Sequence, residues 1–223
     1  QPLKDHVVPM NVAKRFLSVL YAAALVCTTM VPGIPARLSV MTGLILTFWY
    51  TQHLKPRTWL KNGVCASLIA LAPLTSGMAT FSLLGMQKTI ERGPISPLLR
   101  LVGLLFVGIL GREISMDLND RIEDKHHGVW TVPVVYGPKF ATQVSFVCSL
   151  VVSGLALAGP VASMKAMSPM VGVRRLGLAL VGSVMQMRRA YQVLRVEGRD
   201  RDVVDKAVDE GLVSVVLLLA SFV

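Results

Sequence analysis

Charge is scarce in this sequence, and acid is scarcer. Of the 223 residues, 16% are charged and 13 are Asp or Glu, where soluble domains carry about 25% charge. No charge falls between Arg15 and Arg37, Arg37 and Lys55, Lys61 and Lys88, or Lys139 and Lys165. With 53% apolar residues and a mean hydropathy of +0.59, this excludes an ordinary soluble domain and predicts a membrane protein. Cysteine is also rare. Cys27, Cys65 and Cys148 have no paired spacing, which excludes a disulfide framework or a Cys-based zinc site. All three fall in apolar runs and are expected to be buried, inert thiols. No signal-peptide pattern is visible, and Gln1 is not an initiator, so a preceding segment is expected.

What is there is a series of apolar runs near the ~20 residues a helix needs to cross a bilayer. Seven spans are predicted: Phe16–Val31, Leu38–Gln52, Val64–Leu84, Ile95–Met116, Ala141–Ser163, Met167–Gln186 and Val203–Val223. Backbone groups in lipid must be satisfied within the segment, so these are helices. The predicted fold class is an all-α, polytopic transmembrane bundle, with residues 1–223 as a single helical domain. The sixth span holds Arg174 and Arg175, which can snorkel from a tilted helix. The seventh either starts in the polar run before it or is cut short.

A net charge of +10 raises nucleic acid as a partner, but the distribution points to a membrane surface and to no nucleic acid. Alternating sides from the N-terminus puts sixteen of the 23 Lys and Arg on one side and seven on the other. By the positive-inside rule the richer side faces cytosol, stroma or matrix. Trp49, Tyr50, Trp59, Trp130 and Tyr136 suit the interfacial aromatic belt. Gly103, Gly108 and Gly111 allow the fourth span to pack closely on a neighbour.

On the richer side lies EISMDLNDRIEDKHHGVWTVPVVYG, Glu113 to Gly137. Asp117, Asp120 and Asp124 fall at i, i+3 and i+7 and share one helix face, with Glu113 one turn before. Like charges on one face destabilise a helix, so something positive must offset them. Mg²⁺ favours carboxylate oxygens together with water and substrate phosphates, so D-x-x-D-x-x-x-D at a membrane surface suggests a magnesium–diphosphate site. The alternative is a solvated helix end with Arg112, Arg121 and Lys125 as ion-pair partners. Asp202, Asp205 and Asp209 repeat the spacing in a densely charged stretch that reads as an ordinary juxtamembrane helix. Spacing alone therefore decides nothing. His126 and His127 read as a polar loop rather than added metal contacts.

The flanks are more specific. GREISMDLNDRIEDKHHGVWTVPVVYG resembles the second aspartate-rich motif of the UbiA superfamily of intramembrane prenyltransferases. Glu113, the three aspartates, Lys125, Gly128 and the run Thr131, Pro133 and Val134 carry the likeness. The archaeal and plastid subgroup that prenylates lipid or quinone precursors is the nearest in pattern. Glu123 departs from it where glycine is usual, adding charge beside the metal face and bearing on the turn. YTQHLKPRTWLKNGVCASLIALAPLTSG is similar to the family's tyrosine–lysine segment through Tyr50, Lys55, Arg57 and Asn62. QPLKDHVVPMNVAKR resembles the stretch following the family's first aspartate motif. The chain is thus expected to hold the last seven of nine helices and to lack that first motif.

The resemblance implies Mg²⁺ as cofactor, held by Asp117, Asp120 and Asp124. It implies Lys55, Arg57, Asn62 and Lys125 as diphosphate-binding residues and Tyr50 as lining the pocket, with Tyr50, Lys55 and the three aspartates as catalytic residues. An isoprenoid would pass from a prenyl diphosphate to an aromatic or lipid acceptor through an allylic cation. Membrane lipids and a prenyl diphosphate are the expected partners. A second reading, which the absent first motif favours, is a catalytically silent subunit of a photosynthetic or respiratory complex. Its partners would be other membrane subunits or pigments. A transporter finds no support, since neither an inverted repeat nor a mid-membrane acid is evident. The subgroup resemblance suggests a plastid (thylakoid) membrane ahead of a mitochondrial inner membrane.

Overall fold

A computed structural model describes residues 9–50, 58–85, 95–163 and 168–222. The described residues are helical apart from short turns, without strands. Seven long helices and one short one follow in order: α1 Met10–Met30, α2 Ile34–Trp49, α3 Thr58–Leu83, α4 Ile95–His126, α5 Val132–Val135, α6 Pro138–Ser163, α7 Pro169–Arg195 and α8 Arg201–Ala220. Each long helix matches one predicted span. Met10–Met30, Thr58–Leu83 and Pro138–Ala162 are long and apolar enough to cross a membrane, and Ile34–Trp49 is a shorter apolar helix.

Consecutive long helices pack on one another, α4 directly on α6 although the short α5 lies between them in sequence. The helix α4 is the hub, touching α3, α5, α6 and α8. Its packing on α8 closes α4, α6, α7 and α8 into a four-helix unit, from which α3, α2 and α1 extend. At one end of the bundle Ile114, Leu118, Val132, Ala141, Val193 and Val204 form a core cluster. Towards the other end Leu104, Val152, Ala156 and Leu218 form a second. Gly111 lets α4 meet α6: a Cβ there would stand 2.8 Å from that of Cys148. Ser115 and Ser145 share a hydrogen bond of 2.8 Å across the same contact, and Gln186 on α7 donates to Ser149 Oγ. Such small and hydroxyl residues hold helices together where burial in lipid supplies no driving force.

Arg175 lies with Arg100, Ser221 and Phe222 at the bundle end opposite the aspartates, and Arg174 beside it is exposed. The helix α8 begins in the polar run, at Arg201, where the Asp200 side chain accepts from Val203 N–H at 3.3 Å. Cys148 is buried, Cys65 is half-buried and Cys27 is exposed. The expectation of three buried thiols thus fails at Cys27, because α1 lies at the edge of the bundle and, among the described residues, packs chiefly on α2.

Candidate functional site

At 32 residues and ~1.5 Å per residue, α4 is roughly 48 Å long, well beyond the ~30 Å hydrocarbon core. Its C-terminal turns project past the apolar layer and carry Glu113, Asp117, Asp120 and Asp124. The four acids sit on one face, as their spacing requires.

The end of α4 is fixed by a glycine. Gly128 adopts φ +68°, its N–H bonds Lys125 O at 3.3 Å and the Val129 N–H bonds Asp124 O at 2.8 Å. That pair of bonds is a Schellman cap, and it seats the last aspartate by its own carbonyl. Thr131, buried, then stands at the N-cap position of the short helix α5 without a capping side-chain bond, and Val132 and Pro133 of α5 are buried. Glu123 does not reshape this turn. The helix runs on through it to His126. Glu123 is exposed and lines a groove with Asn119, Gly198 and Arg199, off the aspartate face.

The positive charge that offsets the acids comes from α3. Lys61 Nζ lies 2.6 Å from Asp117 Oδ1, and Asn62 Nδ2 donates to Asp117 Oδ2 at 2.9 Å. The Asp117 side chain is 3% exposed and that of Lys61 19%, so this is a buried pair with both carboxylate oxygens bonded. Lys61 had the appearance of flanking charge in the sequence. The partners expected along α4 itself contribute little. Arg112 reaches only Glu113, at 3.7 Å, and Arg121 and Lys125 form no ion pair among the described residues. Asn62, expected on a diphosphate, is fully buried against Asp117 instead.

Asp120 is exposed and Asp124 half-buried. Oδ2 of Asp124 and the Thr131 hydroxyl are both buried, and neither makes a hydrogen bond of full geometry among the described residues, although the hydroxyl lies near enough to the carboxyl to favour its charged form. Burial pushes the Asp124 carboxyl above the usual carboxylate range, opposed by Lys61 and by the Thr131 hydroxyl and reinforced by the charge of Asp117. Tyr50, at the C-terminal end of α2, meets the Cys65 thiol and lies within electrostatic reach of Glu113 and Asp117. The ends of α2, α3 and α4 thus converge. Lys55 and Arg57 lie outside the described residues. Lys125 is exposed, as are His126 and His127, and His127 bonds the Glu123 carbonyl through Nδ1 at 2.9 Å, as a polar helix end would.

Trp59, Tyr136 and Phe140 form an aromatic cluster with ring centroids 5.3–6.2 Å apart. It ties the start of α3, hence Lys61 and Asn62, to the segment after the motif. Asp205 of the repeated spacing accepts a hydrogen bond from Asn119 Nδ2 on α4, on the side of α4 away from Asp117. Asp202 and Asp209 are exposed.

The donor set of the α4 face suits Mg²⁺, which commonly takes one or two carboxylates and completes its shell with water and substrate phosphates. Asp124 offers an unpartnered oxygen and Asp120 an exposed carboxylate. Among the described residues no three His, Cys, Asp or Glu side chains converge to hold a metal alone.

The comparisons with known proteins agree with this architecture. Digeranylgeranylglyceryl phosphate synthase of Sulfolobus acidocaldarius is 30% identical over 139 residues, 62% of this chain and 46% of that protein. The enzyme of the same name from Ignicoccus hospitalis is 27% identical over 178 residues, 78% and 55% of the two chains. The chain spans about half the length of the curated relatives it matches. A solved structure from work on digeranylgeranylglyceryl phosphate synthase in membranes superposes with a TM-score of 0.77 at 19% identity, over 99% of this chain and 71% of that one, and shows the fold to be shared. None of these relatives supports a structural subunit of a larger complex. The model of the UbiA prenyltransferase family matches residues 1–202, and this chain, an integral membrane helical bundle, belongs to that family.

Proposed function

We propose that this chain carries one face of a Mg²⁺-dependent prenyl diphosphate site. The isoprenoid would pass to a lipid acceptor of the glyceryl phosphate kind that the relatives' name indicates, with an aromatic acceptor as the alternative. One observation carries this reading: an acidic helix face in which Asp117 is neutralised from α3 while Asp120 and the unpartnered Asp124 oxygen are left to donate.

The residues divide the work. Lys61 and Asn62 each bond one oxygen of Asp117 and so lock α3 to α4. Asp120 and Asp124, one turn apart, would hold the metal, and Asp117 would position them rather than bind with both oxygens. When bound, Mg²⁺ supplies positive charge against the departing diphosphate. Lys55, Arg57 and Lys125 are assigned to diphosphate and Tyr50 to the pocket wall by family resemblance. The apolar stretches of α3 and α4 beyond the site would keep water from the allylic carbon once its C–O bond breaks. The plastid reading rests on subgroup resemblance alone.

The test is prenyl transfer by the full-length protein in liposomes with Mg²⁺, labelled geranylgeranyl diphosphate and either a prenylated glyceryl phosphate or a phenolic acceptor. Product with the lipid acceptor, abolished in Asp124→Ala, is expected. Absence of product with both acceptors would overturn the proposal.

A further inference from the structure

A second polar site lies on the far side of the four-helix unit. A groove of about 590 Å³ runs between α7 and α8, lined by Met185, Arg188, Arg189, Arg195, Lys206 and Glu210 among others. On α7, Met185, Arg188, Gln192 and Arg195 recur at i, i+3, i+7 and i+10, one continuous face. On α8, Val203, Lys206 and Glu210 follow the same rule.

The charge in the groove is unbalanced. Glu210 is its single acid, and Arg189 already holds it, Nη2 to Oε2 at 2.9 Å. The Arg189 side chain is only 12% exposed, yet its Nη1 is buried without a partner among the described residues. Arg188, Arg195 and Lys206 are exposed and form no ion pair among the described residues. This contrasts with Arg199 and Arg201 nearby, which pair with Glu197 and Asp205. Cations left unpaired in a concavity, beside a buried guanidinium with a spare N–H, need an anion. The planar guanidinium fork matches phosphate well.

The shape of the groove selects a lipid. Arg195 lies in the last turn of α7, at the bundle end that bears most of the positive charge. Met185 is ten residues deeper, roughly 15 Å along the helix. Cations and apolar side chains interleave along that length: Arg195 beside Val196 and Val203, Lys206 beside Ala207, and Arg188 and Arg189 one turn from Met185. A lipid lying in the groove would set its phosphate against the cations and its chain against the apolar side chains between them, and basic pockets between helices on the positive side of a membrane bind anionic headgroups. We infer that the α7–α8 groove binds the headgroup of an anionic phospholipid of the surrounding bilayer. The site is distinct from the aspartate face, because α8 meets α4 through Asn119 and Asp205, away from Asp117. The inference does not rest on prenyl transfer.

The test measures phosphatidylglycerol against phosphatidylcholine of identical chains, bound to the full chain in detergent and read by native mass spectrometry. The three exposed cations predict a preference for phosphatidylglycerol of at least about tenfold, on the order of 1.4 kcal/mol. Arg188→Gln, Arg195→Gln and Lys206→Gln together should reduce that preference to near unity. Lys139→Gln, Arg199→Gln and Arg201→Gln together remove as much charge from the same bundle end, outside the groove, and should retain it. Millimolar inorganic phosphate should not displace the bound lipid. Equal binding of the two lipids by the unaltered protein overturns the inference. So does a preference that survives the groove variant, or one lost equally in the control variant. Displacement by phosphate alone would assign the groove to free phosphate and overturn the lipid assignment.

Discussion

Replacing Lys61 with methionine tests whether the α3–α4 pair holds the site together. The substitution keeps the aliphatic length and removes the ammonium 2.6 Å from Asp117. Asp117 is almost fully buried, so the loss strands a carboxylate in a poor dielectric. Breaking a buried pair from one side costs about 3–5 kcal/mol. Asn62 still donates at 2.9 Å, so the lower end, about 3 kcal/mol, is expected. For a chain of this size, each kcal/mol lowers Tm by roughly 2–4 °C, giving a drop of roughly 6–12 °C. Asp117→Asn alone should also destabilise, since Lys61 then lacks its anion. The double variant should recover on the order of 2 kcal/mol relative to the sum of the singles, because neither charge is stranded. The assay is thermal unfolding in one detergent at fixed pH, across all four proteins. A Lys61→Met protein within about 0.5 kcal/mol of the parent, or strict additivity in the cycle, would refute the reasoning.

Other expectations follow from the same geometry. Gly111→Val should destabilise by about 1–3 kcal/mol through overpacking, since even a Cβ would stand 2.8 Å from the Cys148 Cβ; unfolding midpoints report it, and an unchanged midpoint would contradict the close α4–α6 contact. Gly128→Ala places a side chain at φ +68° and should cost about 1 kcal/mol. It should also weaken Mg²⁺-dependent ligand binding, because the cap seats Asp124 through its carbonyl; unaltered binding and stability would contradict that link. Asp124 has a raised carboxyl pKa, with burial as the main cause. The folded state therefore holds that proton more tightly than the unfolded state. Its contribution is complete below the usual carboxylate value near 4 and is lost as pH rises through the raised value. Asp124→Asn should remove that decline and gain stability relative to the parent over this window, read as Tm against pH without metal; parallel profiles would contradict it.

Much of the bundle was legible because lipid leaves few options: a long charge-free run must be a helix. Hence seven spans correspond to seven long helices, and the i, i+3, i+7 spacing placed the aspartates on one face. Helix ends were less legible. The helix α7 runs to Arg195, nine residues beyond its predicted end, because a helix can continue into water once its apolar length is spent. The single turn α5 is too short to have a period. The largest miss was Lys61. Its partner is 56 residues away, and a lysine before an apolar span looks the same whether it faces solvent or a buried carboxylate. A clue existed in Asn62: an amide and an ammonium side by side at the start of a span form a donor pair suited to one carboxylate. Glu123 reads in sequence as charge beside the metal face, but one residue along a helix is a turn of about 100°, which carries it into the groove with Asn119 and Arg199.

The central claim is that the α4 face binds a metal-associated diphosphate. The most direct measurement is Mg²⁺-dependent binding of geranylgeranyl diphosphate to the native full-length protein, by calorimetry, with Asp120→Ala beside it. The account predicts binding that requires Mg²⁺ and is lost in the variant, although exposed Asp120 leaves the fold intact. Binding that is equal in both proteins, or that persists without Mg²⁺, would contradict it.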